Sequence, residues 1–555
     1  MGRLIRFTFF TMLTVFLTPG AALASTHYIA ANGSDSNDGA SKSTPWLHAP
    51  GMPNCTGTCA SFKPVAGDQF IFRGGDTWHF GNAAAVPYIG GTWNWAWSGS
   101  SGNPILIGAD LTWFSGSSFA RPVINGDNPL STSFPSSCAY DESNRYFVTL
   151  NAVSYVTFDN FEFPGRCWAG QISSSAVIYL PGTSNIIISN CYFHGWTATP
   201  GSYDNFYAIL GSGATADHNQ FAYDIFDGSD SSRASGPNDP NCQWKVLPAN
   251  NLCQSGQGIY FAAYDVHNCI FRYLSNMMVT TNTHTVHDNL FEYLYDTYGS
   301  GLQQHPNVLN NIANTAGQNI YFYNNIVRHT YVTEDIYLAV TNTAFVFNNV
   351  FYDDMNVPSF GIIASGCFRF NSVSNSVPTQ AAFIFNNTIG DSNCQFNFDH
   401  ANSPLTAWNG TATFQNNHFI GFSTAALSSV YSCPTTATCT IVDSGSEIFQ
   451  TTVTANAQGY VAGNNYAPTL ASNATVGVGA NASGQCATFS TDSALCSGGT
   501  GTYEATGNGG RIVVSPGITV VPRPSSGTWN AGAYEFGSAS AGKPNPPTGL
   551  SAVVQ

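Results

Sequence analysis

A small set of residues suited to proton transfer recurs at matching positions in this chain. In four successive copies of an Asn-x-x-Phe-like signal, the residue directly before the signal is Asp217, His267, His287 and Tyr323. Asp265 lies two residues before His267. An imidazole held by a carboxylate can act as a general base near neutral pH, and a phenol can donate a proton to a leaving oxygen. The pattern predicts acid–base chemistry wherever the fold brings these side chains together.

The signal itself recurs at intervals of roughly 20–50 residues, the range expected of a solenoid in which each repeat forms one coil. A short β-rich run such as IIIS or FVFN precedes each copy. The nine copies begin at Asn160, Asn190, His218, Asn268, Asp288, Asn324, Asn348, Asn386 and Asn416.

Aligning the copies predicts which way each side chain points. The fourth position is almost always apolar and must face the core: Phe163, Phe193, Phe221, Phe271, Phe291, Val327, Phe351, Ile389 and Phe419. The second position predicts a column of inward asparagines that bond neighbouring backbones: Asn219, Asn289, Asn325, Asn349, Asn387 and Asn417. Because strand side chains alternate, the residue before each signal faces outward, and adjacent coils repeat at about 4.8 Å.

Three segments resemble one known superfamily. They are the opening YIAANGSDSNDG, the Asn-x-x-Phe turns with their asparagines, and the closing RPSSGTWNAGAYEF, which is similar to the Gly-Ala-Tyr-Glu-Tyr ending of many bacterial members. Across roughly residues 26–537 the chain resembles the pectate lyase-like proteins. The resemblance implies an all-β, right-handed parallel β-helix with an N-terminal cap and a C-terminal linker, and right-handed crossovers are the rule for parallel strands.

The domain organisation follows from the repeats and from composition. Arg3 and Arg6, a short apolar run and an Ala-Leu-Ala site predict a signal peptide. The tail GSASAGKPNPPTGLSAVVQ predicts a linker and the start of a truncated immunoglobulin- or fibronectin-like module. The expected segments are a signal peptide over 1–24, a cap with the first coils over 25–144, a β-helix over 145–537 with an insertion at 227–256, and a linker over 538–555.

Charge and cysteine content narrow the class of protein. The formal net charge is −15 and only 8% of residues are charged, so a basic footprint for nucleic acid is missing. No segment after the signal peptide is long and apolar enough to span a bilayer. Fourteen cysteines in an exported chain predict disulfides rather than metal ligands. We therefore expect a secreted, monomeric protein, extracellular or at the cell surface.

The predicted disulfides are local, and one pairing is excluded by distance. Cys191 and Cys269 share a column but lie two coils apart, about 10 Å, which is beyond the reach of about 7 Å between the Cα atoms of a disulfide. The spacing of Cys55 and Cys59 also suits zinc, which remains an alternative there. The expected pairs are Cys55 with Cys59, Cys242 with Cys253, Cys433 with Cys439, and Cys486 with Cys496.

The candidate site residues fall into three roles. We predict His267, His287, Tyr323 and Asp265 as the catalytic group, with the 227–256 insertion beside them. Calcium bound by Asp217 and Asp265 could offset negative charge that develops on a substrate, and two imidazoles with a carboxylate could instead bind a transition metal. The predicted substrate-binding residues are Arg272 and Arg328, which could bind a substrate carboxylate, and Gln303 and His305, which form an alternative candidate site.

Three functions fit these observations. The favoured one is a polysaccharide lyase that cleaves an acidic polysaccharide by β-elimination. A glycoside hydrolase on the same fold and a non-catalytic surface or adhesion protein are the alternatives, because one fold carries many functions. The negative charge of the chain opposes strong binding of a polyanion unless a metal or local arginines offset it.

Overall fold

The computed structural model describes part of the chain. The predicted signal peptide except its last residue, most of the predicted insertion and the predicted C-terminal linker lie outside the described residues. The described residues are 24–130, 136–140, 146–168, 175–199, 206–211, 218–230, 257–260, 265–274, 277–280, 284–294, 307–313, 319–330, 332–338, 342–353, 368–372, 380–390, 395–398, 408–422, 424–433, 438–490, 492–498, 502–505, 512–515 and 520–537.

Three long parallel sheets run the length of the molecule. Sheet A contains Thr26–Ile29, Gln69–Gly74, Ile105–Phe114, Ser154–Asp159, Ser184–Ser189, Gln220–Ala222, Asp265–His267, His284–His287, Ile320–Tyr323, Thr343–Phe347, Gln380–Phe385, Asn409–Gln415 and Thr438–Asp443. Sheet B contains Thr77–His79, Val123–Asn125, Glu162–Phe163, Tyr192–His194, Ile225–Asp227, Ile270–Arg272, Leu290–Glu292, Ile326–Arg328, Val350–Tyr352, Thr388–Ile389, His418–Ile420 and Ile448–Gln450.

Sheet C closes each coil. It contains Trp93–Trp95, Tyr146–Leu150, Ser175–Leu180, Phe206–Gly211, Gln257–Tyr260, Met277–Thr280, Asn307–Ala313, Val332–Leu338, Phe368–Ser372, Phe396–Asn397 and Tyr431–Ser432. Each coil contributes one strand to each sheet in turn, and every strand pairs with its counterpart one coil away. This is the parallel β-helix that the sequence predicts, and the resemblance to that superfamily is confirmed for the fold.

The remaining elements are short. Two small sheets pair Cys167–Trp168 with Thr197–Ala198 in parallel and Thr502–Ala505 with Ile512–Ser515 in antiparallel orientation. The α-helices are Gly57–Ser61, Thr452–Ala457, Cys486–Phe489 and Ala494–Ser497, and the 3-10 helices are Leu427–Ser429, Ala462–Asn464 and Ser483–Gln485. Among the described helices none is long and apolar enough to cross a membrane.

The predicted phenylalanine column fills the core, with one change of register. Phe193 pairs with Phe226, and Phe226 pairs with Phe271, so Phe226 occupies the place that the sequence pattern gave to Phe221. Phe221 is also fully buried, but it pairs with Val266 in the neighbouring inward column. The true turn of this coil is Tyr223-Asp224-Ile225-Phe226, and the sequence His218-Asn219-Gln220-Phe221 imitates the signal five residues too early.

The asparagine ladder is confirmed over its C-terminal part. The Asn325 side chain accepts from the backbone N–H of Asn289 at 3.0 Å and donates to the carbonyl of Val286 at 2.9 Å. The same pattern repeats at Asn349, Asn387 and Asn417. Asn219 is not part of this ladder, because Asp224 holds the corresponding position.

The opening motif folds around one carboxylate at the end of the solenoid. Asp35 accepts hydrogen bonds from the backbone of Leu47 and His48, from the His48 ring, and from the backbone of Thr56. These bonds tie the turn to the helix that begins at Gly57. The acidic turn therefore serves to organise the cap.

The closing motif forms a clip. The buried Arg523 guanidinium donates to Glu535 at 2.8 Å and to the Asn348 side-chain oxygen at 2.9 Å, besides several backbone carbonyls. We call residues 451–537, where described, the C-terminal cover, because they pack against the outer faces of sheets A and B. Phe489 contacts Phe345, Phe347, Phe383 and Phe385 on sheet A.

Disulfides fit an oxidising compartment. Three of the predicted pairs form, and Cys138 with Cys167 forms a further one. Cys191 and Cys269 are both free and buried, so the prediction that they do not bond to each other is confirmed. Cys242 and Cys253 lie outside the described residues.

Candidate functional site

The outer row of sheet A brings together three of the predicted residues. Ala222, His267, His287 and Tyr323 are partners in successive strands. The register correction described above places Ala222, not Asp217, beside His267. Asp217 itself lies outside the described residues, so its assignment as a metal ligand in this row loses its geometric basis.

His287 lies between two carboxylates. Its Nδ1 is 2.6 Å from Asp288 Oδ2 and its Nε2 is 3.3 Å from Asp265 Oδ1. Burial alone would lower the pKa of His287, but the hydrogen bonds and charges of Asp265 and Asp288 outweigh it and raise the pKa to about 9. His287 is therefore an imidazolium at neutral pH and cannot be the proton acceptor that the sequence suggested.

His267 is held differently. Its ring stacks on His287 with centroids 5.1 Å apart, and its Nδ1 lies 2.9 Å from Asn268 Oδ1. Because an amide oxygen only accepts, Nδ1 carries the hydrogen in this contact. In the neutral ring the lone pair then lies on Nε2, and the side chain is partly exposed. His267 can therefore accept a proton at Nε2.

Tyr323 belongs to the row but is not exposed. It stacks on His287 at 4.7 Å and on Phe347 at 4.7 Å, and its hydroxyl donates to Asp492 Oδ2 at 3.2 Å. Burial, followed by the charge of Asp492, raises the pKa of Tyr323 far above its usual value. The expectation that Tyr323 lies on an open face is wrong, because the C-terminal cover begins at this coil.

A different tyrosine, Tyr223, contacts the partly exposed ring of His267. The Tyr223 ring lies edge-on to His267, with centroids 5.9 Å apart and an interplanar angle of 81°. Burial, together with the charge of Asp288, raises the pKa of Tyr223, so its phenol stays protonated at neutral pH. The sequence could have pointed to Tyr223 only if the Phe226 register had been recognised, since Tyr223 occupies the turn position held by Asn268 in the next coil.

Arg272 and Arg328 lie on sheet B, beyond the turn that separates it from sheet A. Arg272 forms an ion pair with Asp227 at 2.6 Å, and Arg328 forms one with Glu292 at 2.6 Å. Arg328 also donates to the Tyr352 hydroxyl. Both guanidinium groups are about one-quarter exposed, so they retain some access to solvent while neutralising buried carboxylates. They are not part of the His267 cluster on sheet A.

Two further predicted residues are not described by the structure. Gln303 and His305 lie outside the described residues. Within the part of the chain that the structure describes, no three His, Cys, Asp or Glu side chains are grouped so as to hold a metal ion. The carboxylates of Asp265 and Asp288 both face His287. Because Asp217, the other predicted calcium ligand, lies outside the described residues, calcium binding by Asp217 and Asp265 stays a prediction.

This arrangement can move protons. It combines an imidazole whose Nε2 can accept a proton, a charged imidazolium beside it, and a protonated phenol whose ring lies edge-on to the first imidazole. Gln220 adds an amide 3.4 Å from Asp265 Oδ2. The groups lie on a rigid sheet, and each is fixed by a neighbour in the next coil, which is the kind of support that acid–base chemistry requires.

Known proteins offer no match in sequence and only a low similarity in structure. No family model and no curated protein matches the sequence. The chain is similar to the solved structures of pectate lyase Pel9A (13% identity, 93% of this chain and 97% of that one, TM-score 0.38) and a rhamnogalacturonan lyase (13%, 77% and 87%, 0.37). It is also similar to GH136 lacto-N-biosidase from Eubacterium ramulus (12%, 77% and 68%, 0.37).

Proposed function

We propose that the protein is a secreted polysaccharide lyase that cleaves an acidic polysaccharide by β-elimination at the Asp265–His267–His287 site. The observation that supports this most directly is the unequal pair of stacked imidazoles. One can accept a proton and the other carries a positive charge. Beta-elimination needs both, because a base removes the proton α to a uronate carboxylate while negative charge builds up on that carboxylate.

His267 takes the part of the base. Its Nε2 accepts the α-proton, and Asn268 keeps the ring in the tautomer that leaves this nitrogen free. His287 lies one coil away and offsets the developing negative charge through its imidazolium. Asp265 and Asp288 keep that imidazolium protonated at neutral pH, so the positive charge is in place before substrate arrives.

Tyr223 takes the part of the proton donor. The leaving oxygen of the glycosidic bond needs a proton as the bond breaks, and a phenol with a raised pKa is still protonated at neutral pH. Tyr323 is replaced in this role, since its hydroxyl is directed at Asp492 under the C-terminal cover. No step is routed through a metal, because the carboxylates near His267 are committed to His287.

The two arginines have an auxiliary role in this proposal. A bound polysaccharide is longer than one sugar, and its other carboxylates could approach Arg272 around the turn that follows His267. Arg272 shares only part of its hydrogen-bonding edge with Asp227. We therefore assign Arg272, and more remotely Arg328, to binding of the chain rather than to the proton transfers.

A glycoside hydrolase is the second candidate, and one observation favours it. Asp265 and Asp288 lie on opposite sides of a single imidazole, and a pair of carboxylates is the usual equipment for glycosidic hydrolysis. The net negative charge of the chain also suits a neutral polymer better than a polyanion.

Product analysis separates these reactions. Purified protein is incubated with polygalacturonate, alginate and neutral polysaccharides, with and without a chelator. A lyase generates an unsaturated uronate that absorbs in the ultraviolet, whereas a hydrolase generates reducing ends without that absorbance. We expect ultraviolet-absorbing product that persists with chelator and disappears in His267→Ala. Reducing ends alone would favour the hydrolase, and binding without either product would favour a surface-adhesion protein.

A further inference from the structure

A buried carboxylate holds the residue that precedes the first strand of sheet A. Asp68 is fully buried. Its Oδ1 accepts hydrogen bonds from the backbone N–H of Ser25 at 2.7 Å and from the Ser25 hydroxyl at 2.9 Å, and its Oδ2 accepts from the backbone N–H of Val65 at 2.8 Å. The backbone N–H of Gln69 donates to the Ser25 carbonyl at 2.8 Å. Ser25 is therefore fixed through its nitrogen, its carbonyl and its side chain.

This carboxylate has no positively charged partner among the described side chains. The lysine and arginine ion pairs of the described residues go to other acids. His27 lies nearby, with its Nε2 2.8 Å from the Ser25 hydroxyl oxygen. Burial lowers the pKa of His27 and the charge of Asp68 opposes this only in part, so the imidazole is neutral at neutral pH. Buried carboxylates are normally paired with a cation, and Asp68 has its hydrogen bonds but lacks that charge.

The backbone reaches the surface one residue before Ser25. Ala24 is exposed, whereas Ser25 is partly buried and the strand that follows enters the core. Ala24 is also the last residue of the predicted signal peptide, which ends in the small residues that a leader peptidase selects. The predicted cleavage point thus coincides with the place where the chain passes from solvent to Asp68.

We infer that removal of residues 1–24 converts the Ser25 nitrogen into an ammonium group that forms an ion pair with the buried Asp68 carboxylate. A leader peptidase hydrolyses the Ala24–Ser25 peptide bond with one water. The oxygen of that water goes to the Ala24 carboxylate, and its two hydrogens go to the Ser25 nitrogen. In the precursor a neutral amide makes the same 2.7 Å contact. Processing therefore supplies the missing charge, and the N-terminal cap gains stability only in the mature chain.

The ion pair should make the free energy of unfolding depend on pH in one direction. The ionisable groups around the new ammonium are Asp68, the neutral His27, and Asp38, whose charge acts on His27. An ammonium bound to a carboxylate has a pKa above the value of about 7.7–8.0 that is usual for an α-amino group. Its contribution to stability is fully present below about pH 8 and is lost as the pH rises through the raised pKa.

Thermal unfolding of four chains at pH 7 tests the inference. One chain begins at Ser25, and one begins at Ala22 and so keeps a neutral amide at Ser25; each is also made with Asp68→Asn. All are released from a fusion partner by a protease that leaves no extra residue. We expect the Ser25 chain to melt at least about 2 °C above the Ala22 chain. This difference should vanish at pH 11 and in the two Asp68→Asn chains.

Asp76→Asn is the matched control. Asp76 is a buried carboxylate of the same cap, but it already forms an ion pair with Arg73 at 2.9 Å. The difference between the Ser25 and Ala22 chains should persist in this background. If Asp68→Asn does not fold, Nα-acetylation of the Ser25 chain removes the charge with every side chain intact. It should then lower the melting temperature to that of the Ala22 chain.

Equal or reversed melting temperatures of the Ser25 and Ala22 chains at pH 7 would overturn the inference, and so would a difference that survives at pH 11. The intact mass of the full chain after export gives the cleavage point, and a first residue other than Ser25 would equally contradict it. None of these measurements uses turnover. Failure of the lyase proposal therefore leaves the inference standing, and failure of the inference leaves the lyase proposal untouched.

Discussion

Two histidines in this molecule have the same electrostatic surroundings. His194 on sheet B lies between Asp230 at 2.8 Å and Glu162 at 3.1 Å, just as His287 on sheet A lies between Asp288 and Asp265. Burial opposes protonation at both, and the flanking carboxylates raise both pKa values to about 9. The arrangement of charges is therefore not what distinguishes a site from a structural contact.

The neighbours of the two rings differ. His194 stacks on Tyr192, which belongs to its own strand, and only 7% of its side chain is exposed. His287 is 15% exposed and stacks on His267, whose Nε2 is free to accept a proton. A protonated histidine held between two carboxylates stabilises the coils that it connects. It becomes part of a reactive site when a second imidazole, not bound by carboxylates, lies beside it.

The largest effect that separates the two regions is expected from His267→Ala. Loss of the general base should reduce kcat by about 10²- to 10⁴-fold, while the melting temperature hardly changes because the ring is partly exposed. His194→Gln should do the reverse, lowering the melting temperature and leaving kcat unchanged. Turnover on the best substrate and thermal unfolding check both, and an active His267→Ala would remove the distinction between the regions.

His194 and His287 should both make the free energy of unfolding depend on pH, and in the same direction. The folded pKa of about 9 exceeds the unfolded value of 6.5, so each imidazolium stabilises the fold fully below pH 6.5 and loses this contribution as the pH rises through 9. At 1.36 kcal/mol per pKa unit, each contributes about 3 kcal/mol.

Thermal unfolding between pH 6 and pH 10 measures this contribution. The wild type should lose stability over that interval, and His194→Gln combined with His287→Gln should flatten the profile. Activity should fall over the same range only through His287. A wild-type melting temperature that stays constant up to pH 10 would contradict the assignment of raised pKa values.

A smaller effect is expected in the coils between the two histidines, where the asparagine ladder is interrupted. The buried Asp224 accepts from the Cys191 backbone N–H at 2.8 Å, and burial raises the pKa of its carboxyl well above the usual range. The other carboxyl oxygen, Oδ2, is buried without a hydrogen-bond partner. Asp224→Asn keeps the acceptor and replaces Oδ2 by an amide, which we expect to donate to the carbonyl of Ile188 as the Asn289 amide donates to that of Val266.

We expect Asp224→Asn to stabilise the protein by about 1 kcal/mol, the usual net value of a buried hydrogen bond. The mirror variant Asn325→Asp places a carboxyl in the intact ladder and should destabilise it. Denaturant unfolding of the two variants provides the comparison. If Asp224→Asn destabilises, then the carboxyl at this position has a partner or a purpose that an amide does not meet.

The smallest effect is expected from Arg272→Ala. Partly exposed ion pairs contribute about 0.2–1 kcal/mol, so KM should rise by no more than about fivefold while kcat stays unchanged. Arg328→Ala, two coils further from His267, should have a smaller effect still. A large fall in kcat for Arg272→Ala would show that this arginine takes part in the reaction itself, and that the site includes residues of both sheet A and sheet B.

The fold was predictable because its signals are local and repeated. Each inward phenylalanine and ladder asparagine is specified within a few residues of its own turn, so the columns could be aligned without a structure. The alignment failed where Asn219 and Phe221 imitated a turn that belongs to Asp224 and Phe226. Only the pairing of Phe226 with both Phe193 and Phe271 resolves that competition.

The site was predictable only in part. The clustering of Asp265, His267 and His287 follows from strand spacing and was foreseen. The burial of Tyr323 was not, because it depends on Asp492, a residue far away in the chain and without any repeating pattern. The protonation of His287 depends on Asp288, whose backbone adopts a left-handed conformation at the turn and so directs its carboxylate back at the ring.

The C-terminal cover has a consequence for how the protein is made. Phe345, Phe347 and Phe385 point outward from sheet A, and their outer sides are covered by residues that follow more than 90 positions later in the chain, such as Phe489. Since synthesis proceeds from the N-terminus and early segments fold first, these coils form before the segment that shields them exists. During that interval they present an apolar surface of the kind that promotes aggregation. The clip between Arg523 and Glu535 belongs to the segment whose synthesis ends that interval.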